Sequence, residues 1–327
     1  VGISGLMAAY SAGAPAPPAL NLLASAKRVW SDVGPEIKAS VTWKEGPLLP
    51  PEELKKACKY LQSTVTKFSA SATVVADAEE AQRSLTPIAE EVMKAFTILL
   101  GTLLSISSGA GTSLARELKE AGETLTEALN TLGMAVCTGS LAASAGKVLE
   151  HAAALERSST QNRAALMRRL LKSLAQLRDA NREMQEELDT GECNPPVEVL
   201  SGDEELLEDD DDLSLPAMDP SERTLLENVL CVSGHMEDLV KEVSTCCIDQ
   251  SKGLSLQDLE VLAENIDDIS GAIDALAADS VGGTDIEACN SSIERLRKAT
   301  PIILHHFTRA ELPSALDATE AALLAIE

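Results

Sequence analysis

The chain has 327 residues, of which 45% are hydrophobic and only seven aromatic. That is enough apolar material for one large or two ordinary domains. It is too few aromatics for a β-sandwich, or for a single-strand nucleic-acid binder built on stacking platforms. Lys and Arg number 27 against 52 Asp and Glu, a net charge of −25; phosphate backbones repel such a chain, so no direct contact with nucleic acid is expected.

Residues 1–48 form a small-residue, Pro-rich segment with room for one or two short helices. It starts at Val1, which reads as a fragment or a trimmed chain, and VGISGLMAAYSAGAPAPPAL has no basic n-region, so no secretory signal is expected. Pro50-Pro51 followed by Glu52 and Glu53 marks a helix start, with a helical stretch expected to run to about residue 82. Thr86-Pro87 with Glu90 and Glu91 predicts a second start, with Thr86 as N-cap and an apolar run to Leu104. Ser107–Gly111 (SSGAG) ends that helix, and further helices are predicted at about 113–132, 140–157 and 161–190. Residues 95–115 carry no charge, but the strongly apolar part is only Ala95–Ile106. A membrane span needs about 20 mostly apolar residues, so a buried core helix and a tight turn are expected instead.

Sixteen acidic residues and no basic one lie between Glu183 and Glu222, and removing them leaves 27 basic against 36 acidic residues. The charge is therefore concentrated in one tract, whose like charges and prolines predict a disordered acidic linker over 191–219. It separates an N-terminal helical bundle at 49–190 from a C-terminal helical bundle at 220–327. Asp219-Pro220-Ser221-Glu222 opens a helix to about 247; others are predicted at 255–279 and 284–307, with Pro301 kinking or restarting the last, and a short one at 312–326. Period-two alternation is nowhere sustained, so the expected fold is all-α, a two-part antiparallel helical bundle.

Two helices are strongly patterned. Met167, Leu170, Leu174, Leu177, Asn181, Met184 and Leu188 recur in steps of three and four, with Asn181 at an a-type position that can set register. These seven are the candidate partner-binding residues; the alternative is that they form the inward face of an intramolecular bundle. Six basic residues and one acid lie between Arg163 and Arg182. Leu259, Leu262, Ile266, Ile269, Ile273 and Leu276 form a second stripe, in a stretch from Leu254 to Glu294 with ten acids and no Lys or Arg. Opposite charge and matched stripes predict that these two helices pair, with a dependence on salt.

Signals for chemistry are poor. Cys231 and His235 stand four apart, with Cys246 and Cys247 further on, but no CxxC or HxxxH supports a metal site. The seven cysteines have no disulfide spacing and read as reduced thiols of an intracellular protein. SSGAGTS lacks the preceding strand and the following Lys of a phosphate loop, and no GxSxG elbow occurs. Asp267-Asp268 reads as a solvated helix face. No catalytic residue, cofactor or metal is therefore expected, and the chain is expected not to be an enzyme. Arg168-Arg169-Leu170 and Arg223-Thr224-Leu225 fit an RxL docking pattern and Leu100–Leu104 fits LxxLL, each on an expected bundle face. Ser201, followed by Gly202-Asp203-Glu204-Glu205, suits an acid-directed kinase.

The order of these parts resembles the Grap- and cyclin-D-interacting protein family: a helical half, DANREMQEEL at Asp179–Leu188, Glu-Cys-Asn-Pro, an acidic tract with DDDDL, and a second helical half with the block around Asn265–Ser270. The general architecture covers about residues 50–327. The low aromatic content suggests a divergent member, of plant or algal type. The resemblance implies a non-enzymatic regulator of cell cycle and transcription, in nucleus and cytoplasm, that binds D-type cyclins and helix-loop-helix-type partners through helical faces. The rival expectation is a vinculin- or talin-like helical-bundle adaptor at cytoskeleton or membrane, which long Ala-rich helices also suit. A further idea is that the acidic tract binds basic proteins.

Overall fold

The structure, a computed structural model, describes residues 18–74, 78–138, 140–191, 220–248, 254–281 and 286–309. Residues 192–219 of the acidic tract, with Cys193 and Ser201, and the helix expected at 312–326 lie outside the described residues. Every described element of regular structure is a helix; the one strand-like feature among the described residues is an isolated bridge between Pro47 and Gln161. The chain divides into two compact units, Val1–Leu166 and Met167–Glu327.

The first unit contains α1 (Pro18–Ala24), α2 (Ala26–Val33), a 3-10 turn (Gly34–Glu36), α3 (Pro51–Val74), α4 (Ala78–Ser107), α5 (Thr112–Thr138) and α6 (Leu141–Arg157). Helix α3 packs against α4 and α6, and α5 against α6, while α4 and α5 touch only sparsely. The short α1 wedges into that remaining side, against both α4 and α5, with α2 on α5. Leu23, Ala26 and Ile37 are accordingly buried in the same core as Phe68, Phe96 and Leu129. The small-residue N-terminal region thus closes the bundle.

The charge-free run of α4 is explained by burial. Phe96, Leu99, Leu100, Leu103 and Ile106 are fully buried, and each contributes roughly 1.5–3 kcal/mol relative to exposure. Among the described residues no helix is long and apolar enough to cross a membrane. The helix expected to run from residue 51 to about 82 is instead two elements: α3 ends at Val74 and α4 begins at Ala78. Pro87 therefore lies inside α4, and Thr86, whose Oγ1 is buried without a protein partner, does not cap it. An internal proline removes one hydrogen bond and costs about 3 kcal/mol. Leu85 and Ala89, buried on either side of it, show how tertiary packing offsets that cost.

Two local devices fix the first unit. Asn162 is buried where the turn after α4 meets the chain ahead of α3. Its Oδ1 accepts from the Gly111 amide at 2.7 Å, and its Nδ2 donates to the carbonyls of Lys44 and Gly109 at 2.9 and 3.1 Å. Trp30 of α2 lies on the bare backbone of α5 at Gly122, where a Cβ would fall 2.3 Å from its ring. Only glycine admits that approach.

The second unit holds nearly all of α7 (Asn162–Gly191), then α8 (Pro220–Ile248), α9 (Leu256–Val281) and α10 (Ile286–Arg309). Pro220 opens α8 and Pro301 lies within α10. Helix α9 packs closely on α10 and also on α8. Its start is a capping box: the Asp258 amide donates to Ser255 Oγ at 3.1 Å, and the Ser255 amide donates to Asp258 Oδ2 at 3.1 Å. The division between compact units falls inside α7, between Leu166 and Met167, and not at the acidic tract, because α7 is fastened to α8 and α9.

Candidate partner-binding helix

The stripe on α7 points inward. Leu170, Leu174, Leu177, Met184 and Leu188 are buried, and Met167 and Asn181 are half-buried. The partner-facing arrangement is therefore not the one the structure holds: the protein's own fold covers these side chains, as the inward-face alternative requires. The Leu259, Leu262, Ile266, Ile269, Ile273 and Leu276 stripe of α9 is buried as well. Leu171, 49% exposed, is the large apolar side chain that α7 turns outward.

Polar contacts seat α7 in one register. Arg169 is buried and bonds Asp267 at 2.6 Å through Nε, while its NH1 lies 3.6 Å from Glu260, which is also buried. Ser173 Oγ donates to the other oxygen of Asp267 at 2.6 Å, and Gln176 Nε2 donates to Asp274 at 2.9 Å. Positions 169, 173 and 176 thus meet 260, 267 and 274 in ascending order, so α7 and α9 run parallel. On α8, Glu237 receives Arg178 at 3.2 Å and Asn181 Nδ2 at 2.8 Å. The basic and acidic helices are paired, as their charges predict. Asp267, read from sequence as half of a solvated pair, is engaged, while Asp268 is exposed. The signal for these carboxylates was the seven-residue spacing of Glu260, Asp267 and Asp274 beside the apolar stripe.

Other candidates are placed less favourably. Arg169 and Leu170 are buried, which closes the first RxL pattern; Leu100 and Leu103 are buried, which closes the LxxLL pattern. In the second RxL pattern Arg223 Nε donates to Glu227 at 3.1 Å, and Leu225 is half-buried. Cys231 is exposed while Cys246 and Cys247 are buried, and among the described residues no group of three or more His, Cys, Asp or Glu converges as metal ligands do. Burial, assisted by the charge of Glu156, pushes the Cys58 thiol up to about 12, so it is held as an unreactive thiol. The Lys241 ammonium is raised by its hydrogen bond to Asp238 on the same exposed face of α8. A half-open cleft of about 180 Å³ in the first unit is lined by Leu54, Leu118, His151, Leu155, Ser158 and Thr160.

Residues 53–190 match the family described as Grap2 and cyclin-D-interacting, N-terminal. Over that stretch the chain is similar to this family's N-terminal domain. The resemblance carried by Asp179–Leu188 is thereby borne out. The matched segment runs from α3 to the last turn of α7, so it takes in the whole inward stripe and crosses the boundary between the two compact units. No curated protein matches the chain.

Proposed function

We propose that the protein is a non-enzymatic regulator of cell cycle and transcription, acting in nucleus and cytoplasm by binding a D-type cyclin and helix-loop-helix-type partners. The observation that carries this reading is the cyclin-D-interacting N-terminal domain over residues 53–190. The net charge of −25 supports action through proteins and not through nucleic acid. The Met167–Leu188 stripe of α7 is the surface proposed for the partner, as an amphipathic helix laid against another helix.

The test is capture of D-type cyclins from the source organism by the full chain, by a 192–219 deletion, and by a Leu170→Glu, Leu177→Glu double variant, with circular dichroism on each. Capture by the full chain and loss in the double variant with helix content retained is the expected result. No capture by any version removes the cyclin claim.

A further inference from the structure

The stripe proposed for the partner is covered in this structure, and what covers it is a particular kind of contact. Helix α9 is packed closely on α10 and on α8. Helix α7 buries its apolar stripe and also reaches α8 and α9 through polar side chains: Arg169, Ser173, Gln176, Arg178 and Asn181. We propose that Arg169, held by Glu260 and Asp267, is the latch of an autoinhibitory contact: while it is closed α7 is seated on α9, and its opening exposes the Met167–Leu188 stripe. This rests on the reading of that stripe as the partner surface.

Three observations support a latch over a permanent core contact. First, the ion pair is buried on both sides, with Arg169 7% and Glu260 3% exposed at the side chain. A buried pair adds little net stability when made and is strongly destabilising when one member is lost, which gives closing and opening a sharp boundary. Second, the pairing has one register. Two carboxylates of α9 converge on one guanidinium and Ser173 takes the second oxygen of Asp267, so a slipped α7 would lose all of these bonds together. Third, the far end of the seat is less complete. Asn181 donates to Glu237, but its Oδ1 is buried without a protein partner, and such a site lowers the cost of opening from the C-terminal end of α7.

The test is hydrogen exchange on the full chain, comparing wild type, Arg169→Glu, and Arg169→Glu with Glu260→Arg. The single variant sets a third carboxylate against Glu260 and Asp267; the double variant restores one cation between two anions. Exchange across residues 170–188 should rise at least about tenfold in Arg169→Glu and return in the double variant, while α9 and α10 keep their protection. Unchanged protection of α7, or equal loss across α8, α9 and α10, would overturn the latch. Cyclin capture is then read on the same proteins. A rise in Arg169→Glu over wild type is expected; equal or lower capture with α7 released overturns the autoinhibitory role. Capture by no version sinks the cyclin reading, and is told apart because the exchange result does not depend on a partner.

Discussion

At the scale of single residues, two buried groups govern the first unit. Asn162 completes three hydrogen bonds that join α7's first residue to Gly111, Lys44 and Gly109. Asn162→Ala leaves the Gly111 amide orphaned, because an alanine offers it no acceptor. A loss of about 2–4 kcal/mol follows, and the midpoint of urea unfolding measures it. Cys58 acts through its proton. Its folded-state pKa of about 12 lies above the ordinary thiol value of 9.0, so between those values the unfolded chain releases a proton that the folded chain keeps. The stabilisation is fully present below about pH 9 and is lost as pH rises toward 12. Melting temperature should therefore fall over that interval, and fall less steeply in Cys58→Ala than in the wild type. An equal slope in both proteins would mean that Cys58 is not the group responsible.

At the scale of helices, what could be read in the residues depended on whether the signal was local. Pro51 with Glu52 and Glu53, Pro220, and the SSGAG turn are self-contained boundary marks, and α3, α8 and the end of α4 fall at them. Thr86-Pro87 is the same kind of mark, yet α4 runs through it, because the packing of Leu85, Ala89 and Val92 outweighs one missing amide. The role of the N-terminal segment was hidden for a related reason. Two alanines and three leucines in the seven residues of α1 show little periodicity, and only the gap between α4 and α5 gives Leu23, and Ala26 of α2, a core to enter. The α7 stripe was legible as a stripe. Which neighbours cover it was not, because the same three-four spacing serves an intermolecular seam and an inward bundle face. Its charge was the better guide: six basic residues against one acid between Arg163 and Arg182 pointed to an acidic partner helix, and α9 supplies it.

At the scale of the whole molecule, chain order and compact units disagree, and the disagreement can be measured. The acidic tract lies between α7 and α8, but α7 bonds to α8 and α9, on the far side of that tract in sequence. A protease site inserted between Glu192 and Asp219 would cut the covalent link and leave those contacts in place. The two fragments should then elute together in size-exclusion chromatography at low salt. The exposed Arg178 lies near Glu237, and raising salt to about 1 M shortens the screening length to about 3 Å and weakens that pair. Arg169 with Glu260 is screened far less because both are buried, and the burial of Leu170, Leu177 and Met184 does not depend on charge. Salt should therefore weaken the association without abolishing it, whereas Arg169→Glu should part the fragments even at low salt. Fragments that separate at low salt in the wild type would place α7 with the first unit and remove the physical basis for dividing the chain at Leu166.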